Sequence, residues 1–435
     1  MAATMRKIIF FLILIFGCTT QEIQQFDEPE IFHQALEKVT EVIIHDIFSP
    51  PVSSRIYAYV SLAAYEAFIP DQAQYRSLEK QLNGFEHVPK PEASKKYNFA
   101  LASVKAIMTV ARTLTFSVEK YDDFEKSIYQ KFNYLPADIY ENSIAYGEQI
   151  GKHVLAYAKD DNYMKTRGLR YTVKQNENKW QPTPPQYANG MEPYWHTIRT
   201  MVLDSAGQFP APVPFPFSKE KNSDFWKELM EVYHTVNSLT EEQKKIALFW
   251  DDNAFVMNVQ GHVAFADKKM TPAGHWIAIT RTVCRLAKKN SAESIEAYLR
   301  VALALHEGFI ACWNEKYKYE KIRPETAINQ FLDTKWTPFL QSPPFPEYTS
   351  GHSTISAASA EALTYSIGDN IAFTDSTEFP YNHGVRSFDS FRKAAAECSL
   401  SRVYGGIHYT SGCQEGLKMG EKIGRYINEK IVTRK

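Results

Sequence analysis

Apolar residues recur at helical spacing through much of the chain. Between residues 31 and 158 they return every three or four positions, as in the series Tyr57, Leu62, Tyr65 and Phe68. This period places them on one face of a helix. Strand-like alternation bounded by tight turns is scarce. The pattern predicts an all-α protein built from packed helical bundles.

Residues 159–222 differ in character from the helical segments. Prolines crowd residues 181–185 and 210–216, and a chain of this composition cannot continue a helix. The segment also carries large aromatic residues such as Tyr187 and Trp195, which give it material to pack. We therefore expect a long ordered excursion over the surface rather than a flexible linker.

Helical patterning resumes near Thr240, which is followed by two acidic residues suited to a first helical turn. Residues 273–288 and 291–316 are predicted to form two further core helices. This organisation predicts an interruption of the helical pattern at residues 205–238. It divides the chain into an N-terminal helical region, 27–222, and a C-terminal helical domain, 239–431.

The first 18 residues have the features of an export signal. Two basic residues precede an unbroken apolar run, residues 8–16, and Gly17-Cys18 closes it. The run is too short to span a bilayer as a mature helix. A small residue directly before a cysteine resembles the bacterial lipobox, which predicts an exported cell-envelope lipoprotein, in the periplasm or on the cell surface, with its lipid at Cys18. Ordinary secretory cleavage near Cys18 is the alternative.

Composition limits the classes of partner. The chain has 435 residues, of which 44% are hydrophobic, and its 49 basic and 50 acidic residues give a net charge of −1. No global field favours nucleic acid, so any cationic site must be local. The cysteines after Cys18 show no C-x-x-C pair, which indicates neither a zinc site nor a disulfide framework. A pairing of Cys398 with Cys413 stays open.

Three short clusters in the C-terminal half combine fixed cations with imidazoles. Together they supply three cations, a hydroxyl, a small-residue backbone and two imidazoles, a set that suits an oxyanion of two or three negative charges. The clusters are Lys316 with Arg323, Ser350 with Gly351 and His352, and Arg402 with His408. They predict an anion pocket in the C-terminal bundle.

Each cluster alone has a simpler interpretation. Lys316 and Arg323 could belong to a solvated charged face, since other charged residues stand beside them. Ser350 could merely cap a helix that contains a core histidine, although a helix N-terminus beside a glycine also suits an anion. His408 could be a structural histidine after a glycine-rich turn, or that turn could swing it back toward Arg402.

The order and spacing of the three clusters resemble a known superfamily. Lysine, six residues and Arg-Pro, then Ser-Gly-His, then Ser-Arg, five residues and His is similar to the type-2 phosphatidic acid phosphatases and vanadium-dependent haloperoxidases. The flanking sequence resembles the haloperoxidase branch, the bacterial iodide-oxidising enzymes above all, with Trp313 and Phe345 at matching places. Detailed similarity covers residues 305–415. Thr349 and Ile322 depart from the usual proline and tryptophan.

A third departure concerns the second histidine. Gly412 stands where many members, phosphatases especially, have an aspartate that orients this ring. Its absence leaves the tautomer of His408 to be fixed by another group, such as a backbone carbonyl.

The resemblance implies a cofactor and a role for each residue. Vanadate would be the cofactor, with hydrogen peroxide and a halide ion as substrates, iodide being favoured, and hypohalite as product. His408 would coordinate vanadium, His352 would act as acid or base, and Lys316 would polarise peroxide. The residues implied to hold the vanadate oxygens are Lys316, Arg323, Arg402, Ser350 and Gly351. Trp313 and Phe345 would line the halide approach, although packing alone would also explain them.

Two other functions remain open from the sequence. The same residues could hydrolyse phosphate esters, with His408 as nucleophile and His352 as proton donor. The absence of an acid at Gly412 favours the peroxidase over this phosphatase. An exported lipoprotein that binds an anion or a partner protein without turnover is the remaining class.

Overall fold

The computed structural model describes residues 29–254, 256–260, 263–266 and 268–435. The predicted signal segment and Cys18 lie outside the described residues. Helices dominate this part of the chain, which confirms the all-α prediction. The helices are α1 Pro29–His45, α2 Pro50–Phe68, α3 Phe99–Leu114, α4 Asp122–Gln130, α5 Ala137–Lys159, α6 Tyr163–Thr166, α7 Asp224–Asn237, α8 Glu241–Phe249, α9 Pro272–Leu286, α10 Ser291–Tyr319, α11 Pro324–Phe331, α12 Gly351–Ile367, α13 Phe391–Tyr404 and α14 Thr410–Lys430.

Two small antiparallel ladders supplement the helices. In the first ladder, strand β1, Met257–Gln260, pairs with strand β2, Val263–Ala266. Strands β3, Phe373–Asp375, and β4, Arg386–Phe388, form the second ladder, in which Asp375 lies opposite Arg386. None of the helices in the described ranges combines the length and apolar character needed to cross a bilayer.

Several helix ends follow directly from the sequence. Thr240 caps α8, as predicted, and it does so through a capping box with Gln243. The two predicted core helices are present as α9 and α10. Helix α10 continues three residues past the predicted end at Lys316 and stops where Glu320 takes the left-handed conformation at φ 50°.

The interruption predicted for residues 205–238 is wrong in its second half. Helix α7 occupies Asp224–Asn237, and the side chain of Ser223 accepts a hydrogen bond from the Trp226 N–H at its start. Its buried residues Phe225, Leu229 and Val232 recur at helical spacing. The prolines end at residue 216, so nothing in the local chemistry prevents a helix beyond them.

The proline-rich excursion is ordered, as predicted. Residues 160–223 contain only the short helix α6 and one turn of 3₁₀-helix, yet Trp180 and Trp195 are fully buried. The backbone N–H of Trp180 donates to the Glu320 carbonyl at 2.7 Å, and that of Met191 donates to the Pro344 carbonyl at 2.8 Å. The excursion therefore packs against the end of α10 and the loop before α12.

Helix α10 forms the centre of the molecule, with contacts to α2, α9, α12 and α14. One continuous apolar core includes residues of α1 to α5, of α8 to α10 and of α12 to α14. Helix α14 approaches α12 closely through glycines. A Cβ on Gly420 would lie 2.0 Å from the Thr354 carbonyl oxygen. The division into domains 27–222 and 239–431 stays a prediction.

Candidate active site

Two buried cations lie at the end of α10 and in the segment that follows it. Lys316 lies in the last turn of α10. The chain turns at Glu320, and Arg323 is the extended residue immediately before α11. Both side chains are fully buried. Lys316 Nζ donates to the carbonyls of Pro346 and Glu347 at 2.9 and 3.0 Å. These contacts exclude the solvated charged face as an explanation of the pair.

Ser350 begins helix α12. Its side chain accepts a hydrogen bond from the Ser353 N–H at 3.3 Å, so the predicted N-cap is confirmed. Gly351 and His352 form the first helical turn, whose N–H groups have no acceptor within a helix. This end of α12 is a suitable place for negative charge.

The glycine pair after α13 turns His408 back toward the cations. Gly406 has φ +74°, and the Ile407 N–H donates to the Arg402 carbonyl. Arg402 Nη1 lies 3.3 Å from His352 Nε2, and Arg323 Nη1 lies 3.1 Å from His408 Nε2. Since arginine only donates, both imidazole Nε2 atoms accept and carry no proton.

The three cations, hereafter the cation cluster, are Lys316, Arg323 and Arg402. Burial lowers the pKa of Lys316 to about 8 and that of Arg323 to about 10, and their like charges add to the effect. Burial and the neighbouring cations also hold the pKa values of His352 and His408 well below the usual range. Crowding of this kind favours the binding of an anion.

Glu347 is the site residue that the sequence reasoning missed. His408 Nδ1 donates to Glu347 Oε1 at 2.8 Å, and both side chains are buried. The suggestion that a backbone carbonyl fixes this ring is therefore wrong. Gly412 makes the contact possible, because a Cβ there would lie 2.2 Å from Glu347 Oε1. The available signal was an acid in the loop before Ser350 combined with no acid at position 412.

Trp313 and Phe345 lie beside Lys316. Their ring centroids are 5.0 Å apart, and Lys316 Nζ stands 4.9 Å from the Phe345 centroid and 5.7 Å from that of Trp313. The Trp313 indole N–H donates to the Met191 carbonyl at 3.2 Å, which ties it to the excursion. The two rings thus form an aromatic wall against the cation cluster.

A second buried ionisable group lies behind Arg402, whose Nη1 also donates to the Asp251 carbonyl at 3.3 Å. His275 stands between Asp252, at 3.0 Å, and Asp375, at 2.8 Å. Although burial opposes charge on this ring, the two carboxylates raise the pKa of His275 well above its usual value. Glu378 completes a set of donors that a metal ion could use. Because carboxylates already engage both ring nitrogens, a charged imidazole accounts for the contacts without an ion.

Comparison with known proteins fits this arrangement. A family model described as the VCPO second helical-bundle domain matches residues 296–434, a range that includes every site residue predicted from the sequence. The solved structure of the first bacterial vanadium-dependent iodoperoxidase is 42% identical, with a TM-score of 0.89 over 93% of this chain and 97% of that one. This chain belongs to the vanadium-dependent haloperoxidase family.

More distant haloperoxidases share the fold. The holo and apo structures of a bacterial vanadium-dependent chloroperoxidase are 19% and 18% identical, with TM-scores of 0.68 and 0.67. Each alignment covers 88% of this chain, and 93% and 94% of the two chloroperoxidase chains. A search of curated proteins gave no match. The helical-bundle haloperoxidase fold thus extends over nearly the whole chain.

Proposed function

We propose that this chain holds vanadate at the cation cluster and oxidises halide, iodide above all, with hydrogen peroxide to give hypohalite. One observation carries the assignment. Arg323 and Arg402 each have a buried Nη2 atom that makes no hydrogen bond to any described residue. A buried charged donor without a partner is costly, and an oxyanion between the two guanidinium groups would satisfy both.

The residues present fit vanadate. Lys316 uses two of its three donors on carbonyls, which leaves one for an oxygen of the anion. Ser350 and the Gly351 N–H add donors from the start of α12. Because His408 donates from Nδ1 to Glu347, its Nε2 carries a lone pair, which would bind vanadium in place of its hydrogen bond from Arg323 Nη1. Bound vanadate supplies a Lewis acid that activates peroxide without changing its own oxidation state.

His352 is placed to move a proton. Its Nε2 accepts from Arg402 and its low pKa keeps the ring neutral, so it would take a proton from peroxide as peroxide enters. Lys316 would polarise the peroxide oxygen that the halide attacks. Trp313 and Phe345 would line the halide approach beside that ammonium group.

The preference for iodide rests on the iodoperoxidase similarity. That relative is 42% identical across nearly the whole of both chains, whereas the chloroperoxidases share 19% or less. The phosphatase alternative, with His408 as nucleophile, has no comparable support. Anion binding without turnover likewise has no counterpart among the iodoperoxidase and chloroperoxidase structures that this chain resembles.

Titration of the purified, vanadate-free protein tests the proposal. We expect iodide oxidation, followed as triiodide, to rise with added vanadate to a plateau and to fall when phosphate competes. The His408→Ala variant should stay inactive at every vanadate concentration. Hydrolysis of p-nitrophenyl phosphate that vanadate inhibits, with no iodide oxidation, would establish the phosphatase instead.

We further propose that the protein is exported and anchored by lipid at Cys18. The support is the sequence alone: a basic start, an apolar run over residues 8–16 and a small residue before the cysteine. Expression of the full chain in a bacterial host should place it in the detergent phase of a Triton X-114 extract. Cys18→Ser should shift it to the aqueous phase, and an unchanged partition would contradict the anchor.

A further inference from the structure

The carboxylate of Glu347 acts on the site through His408. Its Oε1 accepts from His408 Nδ1 at 2.8 Å and from the Tyr409 N–H at 3.3 Å. Oε2 lies 3.9 Å from Lys321 Nζ, which pairs with Glu228 at 2.5 Å. Glu347 has no exposed surface. Burial raises the pKa of Glu347, while the charges of Lys321, Lys316 and Arg323 oppose that rise and favour the carboxylate. The two hydrogen bonds to Oε1 fix its position.

Position 412 is matched to this arrangement. A Cβ on Gly412 would lie 2.2 Å from Glu347 Oε1 and 3.0 Å from its carboxyl carbon. The carboxylate and a side chain at residue 412 thus compete for one space beside His408. An aspartate at 412 would place its own carboxylate in that space if the Glu347 side chain were absent.

We propose that Glu347 is a positioning residue that, through His408, gives the site its preference for vanadate over phosphate and restricts its halide range. This inference rests on the proposed function. Both anions have the same shape and similar charge, so the cation cluster attracts both. Only vanadate also accepts the Nε2 lone pair at rest. His408 Nε2 would add this bond to bound vanadate, with no bond broken and no electron transferred.

The carboxylate strengthens this extra bond in two ways. It holds the proton on Nδ1, which keeps the lone pair on Nε2, and it fixes the plane of the ring. Its charge also raises the basicity of the imidazole. Loss of Glu347 should therefore weaken vanadate binding much more than phosphate binding.

The same electron donation bears on the choice of halide. A more basic His408 would make bound vanadate a weaker Lewis acid, and peroxide activated there would be a milder oxidant. Iodide gives up electrons more readily than bromide or chloride. A Glu347 carboxylate on His408 therefore favours iodide, and removal of its charge should raise bromide turnover relative to iodide.

Two substitutions separate geometry from charge. Glu347→Gln keeps an oxygen that can accept from Nδ1 and removes the charge, whereas Glu347→Ala removes both. Dissociation constants of vanadate and of phosphate are measured by calorimetry on the vanadate-free full chain. Glu307→Gln is the matched control, because Glu307 is an equally buried glutamate that accepts backbone N–H bonds away from the cation cluster.

For Glu347→Ala we expect the preference for vanadate over phosphate to fall by about 10- to 100-fold. Glu347→Gln should lose less of it, shift the ⁵¹V resonance of bound vanadate and raise the bromide-to-iodide ratio of kcat/KM. The double variant Glu347→Ala with Gly412→Asp should recover part of the preference. The control should match the wild type in all three measurements.

Equal weakening of both anions in Glu347→Ala, with no ⁵¹V shift in Glu347→Gln, would overturn this inference and leave Glu347 a purely structural residue. In that case the wild type would still bind vanadate and oxidise iodide, so the proposed function would stand. A wild type that neither prefers vanadate nor oxidises iodide would overturn both.

Discussion

The side chains of the cation cluster donate hydrogen bonds to backbone carbonyls rather than to acidic side chains. Lys316 donates to two carbonyls, and Arg323 donates to the carbonyls of Phe345 and Ile407 at 2.9 and 2.7 Å. Carbonyls fix the direction of these cations without cancelling their charge. The positive field therefore stays available to an anion. Burial is the main cause of the lowered pKa of Lys316, and the charge of Arg323 adds to it.

Vanadate affinity should depend on pH through Lys316. Its pKa in the free site is about 8, so below that pH the ammonium is present and binding is strong. Above pH 8 the site must take up a proton to bind the anion, and affinity should fall by up to about tenfold per pH unit. The ratio of wild-type to Lys316→Met affinity, measured from pH 6 to 10, removes the effect of vanadate's own ionisation. A ratio that stays constant with pH would contradict this account.

The role of Arg402 depends on the several N–H donors of its guanidinium group as well as on its charge. Nη1 holds the Asp251 carbonyl and His352 Nε2, while Nη2 is left for the anion. A lysine cannot make these contacts together. For Arg402→Lys we expect vanadate binding to weaken by about 10- to 100-fold, corresponding to roughly 1.5–3 kcal/mol for a lost charged hydrogen bond.

The control for that substitution is Arg425→Lys, at an arginine whose side chain is 57% exposed. It should leave the dissociation constant of vanadate unchanged. Equal affinities of Arg402→Lys and the wild type would show that a point charge suffices.

The chemistry of the site could be predicted at residue level, with one exception. The residue types and spacing of the three clusters were enough to predict that Lys316, Arg323 and Arg402 converge with both histidines. Glu347 could not be assigned, because its role depends on a loop crossing over Gly412, a contact between residues 65 positions apart. Local periodicity carries no information about such a crossing.

At the level of elements, the packing of α14 on α12 positions the two histidine-bearing segments. The carbonyl of Gly412, in the first turn of α14, accepts from the Ser350 N–H at 3.0 Å. Glycines along α14 let the two helices approach closely: a Cβ on Gly416 would lie 2.9 Å from the Ser350 carbonyl oxygen. Separation of these helices would move α12 away from His408.

Gly420→Ala should therefore destabilise the protein. Its Cβ would meet the Thr354 carbonyl oxygen at 2.0 Å, a backbone atom that moves only if the helices separate. Overpacking of this kind costs about 1–3 kcal/mol. Urea unfolding followed by circular dichroism should show a lower midpoint. Lys418→Ala, at a side chain that is 63% exposed on the same helix, should keep the wild-type midpoint. Equal midpoints of all three proteins would refute close packing here.

Sequence periodicity predicted most helices but not α7. Phe225, Leu229 and Val232 have the apolar spacing of a helix, but the prolines up to residue 216 led to the prediction of a non-helical segment there. The end of α10 was also misplaced by three residues, because Glu320 ends the helix through its backbone conformation rather than through a breaker residue.

On the scale of the whole molecule, the proline-rich excursion joins the two halves. It packs against the end of α10 and contacts the loop before α12, while the apolar core continues from α1 to α14. We expect a protease that cleaves within residues 218–222 to leave fragments that elute together in gel filtration and still oxidise iodide. Separation of the fragments without denaturant would contradict this continuity.

The central claim is that the cation cluster and His408 hold vanadate for halide oxidation. Its most direct test measures vanadium content and iodide oxidation on one purified sample, loaded with vanadate and freed of excess. The account predicts stoichiometric vanadium, with activity proportional to it, and neither in His408→Ala. Iodide oxidation that does not depend on bound vanadium, or a loaded sample that retains none, would contradict it.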